Sequence, residues 1–447
     1  MIDKLKKMLS VFRNIHFQSL IGNGMMAVFG MVTLSILYRN LSVKDIGTYI
    51  FFLAIIGLID TLRSGFLSIT FVKFYSGTEE ERARRVAGSA WLLGILITGG
   101  CVVINIPTYF IAGYVEDLGL ALFLKYFAIV SIITLPSFMA NCVVLAEKRF
   151  DRFLWLRIFT QGSFTLSVFV LAFMGAITLN SVLLAYVISN IFASVAVLVL
   201  KWTRLTALKS AERATVSELF HFGKYSMGTN IGSNLFGVTN TFVINFLLGP
   251  GYLAIYNLGG KLTQVIEIPL LSFASSGMSI LSADYNKGNH SEVMATLKKL
   301  VGMMTIAIIP LTILSFIFAE PVIHLLGGKN YVDNEAPNIF RLFMAMAVLY
   351  PADRFFALAL DVIDQPKVNF YKIIVMLVVN LVAVVIGIAI YHSLYSIVIA
   401  SFFPTVVAII ITYRPLNRYY KFNFWSMYVS GYHEVILLLK KTLKMAV

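Results

Sequence analysis

Runs of about twenty consecutive apolar residues recur from one end of this chain to the other, and few folds can absorb them. A helix needs roughly 20 such residues to cross ~30 Å of hydrocarbon. Twelve runs reach that length, at approximately 17–38, 46–72, 87–112, 119–146, 154–175, 180–201, 222–248, 252–281, 299–319, 336–360, 370–391 and 394–413. Backbone groups in lipid must bond to one another, and these runs are too long and too little alternating for barrel strands. The expected class is therefore an all-α integral membrane protein of about twelve transmembrane helices. The first run follows Lys4, Lys6, Lys7 and Arg13 as a signal peptide would, but it lacks a cleavage pattern and leads into further spans, so it reads as span one. Composition agrees: 59% of residues are hydrophobic and 13% charged, outside the usage of soluble domains.

A net charge of +14 would suggest nucleic acid in a soluble protein, but here the loops carry it and no nucleic-acid partner is expected. With a cytoplasmic N-terminus, 28 of the 36 Lys and Arg fall in cytoplasmic segments such as EEERARR (79–85) and KWTRLTALKSAER (201–213). Five lie near the opposite face, and Arg63, Lys261 and Arg354 lie deep in spans. Positive charge retained inside fixes the orientation, with both termini cytoplasmic. Cys101 and Cys142 both fall within apolar spans, which implies neither a disulfide framework nor a thiolate metal site. The segment after the last span mixes aromatics, a short apolar run and lysines, and reads as an amphipathic tail on the anionic leaflet or as a loosely ordered end.

A weak internal repeat is visible. LSVKDIGTY (41–49) and LGPGYLAIY (248–256) share their leading Leu and closing Tyr, and the same offset places Asp60 on Glu267. Further along, Pro136 corresponds to Pro351. Twelve spans dividing six and six predict an N-terminal lobe over 1–201, a cytoplasmic linker over 202–221, a C-terminal lobe over 222–413 and a tail over 414–447, the lobes related by pseudo-two-fold symmetry. Pro136, Pro269 and Pro351 permit bends in spans four, eight and ten.

Six ionisable residues stand well inside spans: Asp60, Arg63, Lys261, Glu267, Asp353 and Arg354. Exposing all six to lipid at roughly 3 kcal/mol each would cost about 18 kcal/mol, so they must face protein or water. One polar cavity between the lobes is the economical arrangement. Asp60 and Arg63 are about 60° apart around a helix and ~4.5 Å along it, so they can equally neutralise each other. Lys261, with no partner on its own helix, is the first candidate to meet a substrate anion, followed by Arg63 and Arg354. Asp60, Glu267 and Asp353 are candidates for a coupling H⁺ or Na⁺; no other cofactor and no metal is expected. Span seven is polar, and Asn230, Asn234 and Asn240, with Asn23 in span one, could hydrogen-bond sugar hydroxyls or join helices. GNGMMA (22–27) matches a dinucleotide fingerprint loosely and follows no strand, there is no Walker A sequence, and the histidines lack ligand spacing, so no catalytic residue is expected.

Three stretches carry a family resemblance: LLGPGYLAIYNLGGKLTQVIEIPLLSFASSGMSILSADYNKGN (247–289), YRNLSVKDIGTYIFFLAIIGLIDTLRSGF (38–66) and IPLTILSFIFAEPVIHLLGGKNY (309–331). They resemble the polysaccharide transporters, the Wzx-type flippases of the multidrug/oligosaccharidyl-lipid/polysaccharide (MOP) exporter superfamily. The resemblance implies a two-lobed flippase that carries an undecaprenyl-(pyro)phosphate-linked oligosaccharide across the bacterial inner membrane by alternating access, in polysaccharide biosynthesis such as O-antigen, lipopolysaccharide or capsule. Its partners would be the lipid-linked oligosaccharide, membrane lipid and a glycan polymerase or glycosyltransferase. The family's cavity cations would map to Arg63 and Lys261. Two alternatives stand beside it: a multidrug-type exporter driven by H⁺ or Na⁺, and a membrane-embedded glycan polymerase or ligase. The latter generally displays its catalytic residues on a sizeable periplasmic loop, which this chain lacks.

Overall fold

In the computed structural model of the chain the backbone is described over residues 15–445; the side chains of 15–23, 59, 150, 225–226, 228–234, 236, 275–276, 279, 438–439 and 441–445 lie outside that description. The described residues are helical nearly throughout. Two compact units divide the chain, residues 1–234 (unit 1) and 235–447 (unit 2).

Unit 1 holds α1 (Ile15–Asn40), α2 (Val43–Tyr75), α3 (Glu80–Ile111), α4 (Leu118–Ala146), α5 (Phe150–Arg157), a π turn (Ile158–Gly162), α6 (Ser163–Phe173) and α7 (Leu179–Val199). It also takes the first part of α8 (Arg213–Leu247), so the division falls inside that helix. Unit 2 continues with α9 (Pro250–Leu262), α10 (Gln264–Asn286), α11 (His290–Gly327), α12 (Lys329–Val332), α13 (Ala336–Ala347), α14 (Tyr350–Val362), α15 (Pro366–Tyr391), α16 (Leu394–Ala400), α17 (Phe402–Tyr419) and α18 (Ser426–Met445).

Helix covers each of the twelve expected spans. Among the described residues eight helices are individually long and apolar enough to cross a membrane, nine if the bent pair α13–α14 is one span. The span expected at 252–281 is interrupted at Thr263, between α9 and α10. Pro269 lies a turn and a half beyond the break and cannot donate to the carbonyl four residues back. The span expected at 336–360 bends by 40° between α13 and α14, with Pro351 in the first turn after the bend. Pro136 sits inside an unbroken α4.

The two repeated entries are built differently. α2 starts on Ser42, whose hydroxyl oxygen accepts from the Asp45 N–H at 3.1 Å. α9 starts instead on Gly249 at φ 99°, a conformation that suits glycine, followed by Pro250 in the first turn.

The core of unit 1 joins Phe66, Leu67 and Phe71 of α2 to Trp91 of α3, Met139 and Val143 of α4, and Leu219 of α8. The segment 202–221, expected as a linker, is packed onto this unit. Trp91 Nε1 donates to the Thr203 carbonyl at 2.8 Å. The backbone of Ala207 and Ala211 lies so close to Gly88 that a Cβ there would collide with it. Arg82 pairs with Glu218, and Arg85 with Glu212 at 3.6 Å.

The core of unit 2 gathers Leu281, Leu297, Val301, Phe355, Phe356 and Met427. Of the tail expected over 414–447, residues 414–419 extend α17 and Ser426–Met445 form α18, which crosses α11 where Gly302 meets Gly431 without room for a Cβ on either. One face of this helix is held by protein, with Met427 fully buried, while Val429, Tyr432 and Leu437 remain exposed.

Candidate functional site

In unit 1 the ionisable residues of α2 stand one turn apart and meet. Arg63 Nη2 lies 2.7 Å from Asp60 Oδ1, also donates to Thr134 Oγ1 at 3.0 Å, and Nη1 donates to the Ser131 carbonyl at 3.2 Å. The guanidinium stacks 4.7 Å from the Phe138 ring. Its side chain is 6% exposed, that of Asp60 48%. α4 therefore fixes the arginine while the carboxylate stays open on one side.

Two cavities share this pair as a common wall. One, about 670 Å³, is an apolar groove bounded by α2, α3 and the start of α8, with Leu93, Ile97, Val216 and Phe220 on its sides and Arg213 and Ser217 near one end. The other, about 270 Å³, is polar and is lined by Asp60, Arg63, Asn141, Arg157, Gln161 and Asn190 among others. Arg157 lines this cavity although its position, within three residues of the expected start of its span, places it among the cytoplasmic cations in the sequence. Its guanidinium lies 4.5 Å from the Phe153 ring, and its Nε is buried without a hydrogen-bond partner.

In unit 2 Asp353 is paired, though not with its neighbour. Its Oδ1 lies 2.9 Å from Lys372 Nζ, on α15, and the lysine side chain is 8% exposed against 27% for the aspartate. Lys372 was likewise assigned to the cytoplasmic side, two residues into its expected span. Lys261, Glu267 and Arg354 are exposed. Glu267 Oε1 accepts from Thr263 Oγ1 at 3.1 Å, and among the described residues no carboxylate lies within 4 Å of Lys261 or Arg354.

Of the two readings open for Asn240, a cavity residue or a joint between helices, the bonds it makes are those of a joint: its Nδ2 donates to Tyr256 Oη at 3.0 Å and Ser401 Oγ at 3.3 Å, and its Oδ1 accepts from Asn380 at 2.7 Å. It is 1% exposed, and these bonds leave it no free atom for a ligand. The side chains of Asn23, Asn230 and Asn234 lie outside the described residues.

The sequence pattern of the polysaccharide biosynthesis protein family matches residues 36–335, more than half of the chain. The chain belongs to the polysaccharide biosynthesis protein family. Solved structures similar to this family member include an inward-facing multidrug resistance MATE family transporter of the MOP superfamily, at 14% identity and TM-score 0.73, covering 93% of this chain and 96% of that one. The lipid II flippase MurJ in an inward closed conformation matches at 14% identity and TM-score 0.69, covering 95% and 92%. A MATE structure in its straight conformation matches at 15% identity and TM-score 0.59, covering 96% of each chain. Comparison with curated proteins gives no match. The chain thus shares its fold with the MATE transporter and with MurJ, and this polysaccharide biosynthesis family member is a multi-pass membrane protein.

Proposed function

We propose that the protein moves an undecaprenyl-(pyro)phosphate-linked oligosaccharide from the cytoplasmic to the periplasmic leaflet of a bacterial inner membrane by alternating access. The observation that carries this reading is Arg63, a guanidinium 6% exposed within a membrane helix, in a member of a polysaccharide biosynthesis family. Ionisable groups kept within membrane helices, even when paired as Arg63 is with Asp60, mark substrate or ion pathways. Arg63, Lys261 and Arg354 are the cations offered to the phosphates during transit. Asp60, Glu267 and Asp353 are the acids available to a coupling H⁺ or Na⁺; Glu267 is exposed and outside any ion pair among the described residues, whereas Asp60 is held by Arg63 and Asp353 by Lys372.

The reading is tested in a strain lacking the protein: short lipid-linked units should accumulate on the cytoplasmic side, with polymer restored by wild type and not by Arg63→Ala at equal membrane level. Full restoration by Arg63→Ala would refute the role of that cation. Export of cationic dyes without movement of lipid-linked sugar would favour the multidrug type of exporter, which Lys261 and Arg354, exposed and with no carboxylate within 4 Å among the described residues, argue against.

A further inference from the structure

The elbow between α17 and α18, in unit 2, stands at a membrane surface, because Leu394–Tyr419 is long and apolar enough to cross a bilayer and the elbow follows it directly. It is a built structure. Tyr413 Oη donates to the Phe422 carbonyl at 2.8 Å, the Phe422 N–H to Asn417 Oδ1 at 2.8 Å, and the Trp425 N–H to Asn423 Oδ1 at 2.9 Å. The Phe422 ring is buried against Tyr413 and Phe356, with centroids 5.2 and 6.3 Å away.

Those bonds decide what the elbow offers to a ligand. An open cleft of about 590 Å³ is lined by Asn417, Arg418, Lys421, Phe422 and Asn423. The side-chain oxygens of both asparagines and the Phe422 carbonyl are already occupied as acceptors. Donors remain: the Arg418 guanidinium, the Lys421 ammonium and the two asparagine amide NH₂ groups. Arg418 and Lys421 are exposed, and among the described residues no carboxylate lies within 4 Å of either. A wall of donors carrying two uncompensated positive charges fits an anion with several oxygens and disfavours a cation.

The neighbouring helix says where that anion comes from. α18 turns Met427, Gly431 and Glu434 toward α11, where Glu434 meets Lys299 at 3.2 Å. At 100° per residue Val429, Tyr432 and Lys440 fall on the opposite side, and all three are exposed, as is Leu437 at its edge. Trp425, just before the helix, is 70% exposed. Residues 414–447 hold six Lys and Arg against one acid, Glu434, which Lys299 neutralises. An outward apolar stripe with an exposed tryptophan at one end and cations at both ends matches an anionic bilayer surface.

We propose that the α17–α18 elbow binds the phosphate of an anionic phospholipid, in the leaflet that the charge distribution of the sequence assigns to the cytoplasm. Arg418 and Lys421 are its charged donors, Asn417 and Asn423 its neutral ones, and Trp425 with the outward stripe of α18 enters the acyl boundary beside it. Arg418 can meet two phosphate oxygens at once, which fixes the headgroup rather than merely attracting it. Bound lipid ties α17 to α18 and so holds α18 on α11. The site depends on nothing that the protein transports.

The test compares the full chain in nanodiscs of neutral phosphatidylcholine with the full chain in the same lipid mixed with phosphatidylglycerol. Melting temperature is read in each, and native mass spectrometry after extraction reads the lipid retained. Wild type is expected to melt higher with phosphatidylglycerol and to retain it at least fivefold over phosphatidylcholine. Arg418→Gln with Lys421→Gln should abolish both preferences, and Arg418→Lys should keep part of them. Lys201→Gln with Lys209→Gln, which removes equal charge from exposed positions of unit 1, should leave both in full. Brominated phosphatidylglycerol should quench tryptophan fluorescence more than brominated phosphatidylcholine, and Trp425→Phe should remove that difference. Circular dichroism checks that each variant is folded. Unchanged preferences in folded Arg418→Gln with Lys421→Gln, or an equal loss in the unit 1 control, overturn the site. Equal stabilisation by free glycerol phosphate in neutral nanodiscs would assign a soluble anion and overturn the lipid. Dimers formed through α18 without any lipid preference would give the surface to a second copy and overturn it as well.

Discussion

In unit 1 the buried guanidinium of Arg63 meets a carboxylate three residues back on its own helix, whereas in unit 2 the buried ammonium of Lys372 meets Asp353 on a different helix. Arg63 has two further acceptors from α4, the Thr134 hydroxyl and the Ser131 carbonyl. Asp353 is the acceptor found for Lys372 among the described residues. The repeat that aligns Asp60 with Glu267 therefore preserves the position of an acid and not its partner, since Glu267 binds a threonine hydroxyl and is exposed. An ion pair made within one helix is free to serve a cavity, because breaking it leaves the packing of helices intact. One made between helices is part of that packing.

That difference can be broken by experiment. Asp353→Ala strands a lysine that is 8% exposed, and should cost about 3 kcal/mol, the lower end for breaking a buried pair. Thermal unfolding in detergent would show it, and Asp353→Asn with Lys372→Met should recover much of the loss. Gly302→Ala and Gly88→Ala force a Cβ onto the backbone of a neighbouring segment, α18 in unit 2 and the 202–211 stretch in unit 1. Each should cost about 2 kcal/mol as overpacking, with faster proteolysis of the released segment. Asp60→Ala should cost less, about 1 kcal/mol, because Arg63 keeps its α4 acceptors. Equal losses in Asp60→Ala and Asp353→Ala would dissolve the distinction between local and packing pairs. Lys261→Ala and Arg354→Ala, both exposed, should change stability by less than about 0.5 kcal/mol while lowering transport severalfold.

The helices were legible because each apolar run is long enough to declare itself, and the Asp60–Arg63 contact because spacing along one helix determines it. The break at Thr263 was not, since a continuous apolar run conceals a change of direction. Nor was the pairing of Asp353: Lys372 lies 19 residues away, on the next helix. Arg157 and Lys372 were lost to the same habit, which assigns a cation near a span's cytoplasmic end to the loop. The i, i+3, i+7 run of Thr134, Ser137 and Asn141 facing Arg157, Thr160 and Gln161 was the available signal for the polar cavity of unit 1. The role of Asn240 stayed open in the sequence because its partners Asn380 and Ser401 are 140 and 161 residues distant, and no local pattern separates a junction residue from a cavity residue.

Transport itself is tested most directly in proteoliposomes carrying a fluorescent polyprenyl-diphosphate sugar, with label on the outer leaflet quenched by a membrane-impermeant reductant. Wild type should move the lipid between leaflets well above empty liposomes, and Arg63→Ala, inserted at equal density and folded, should lower that rate at least tenfold. Movement no faster than in empty liposomes, or an Arg63→Ala rate equal to wild type, would contradict the account.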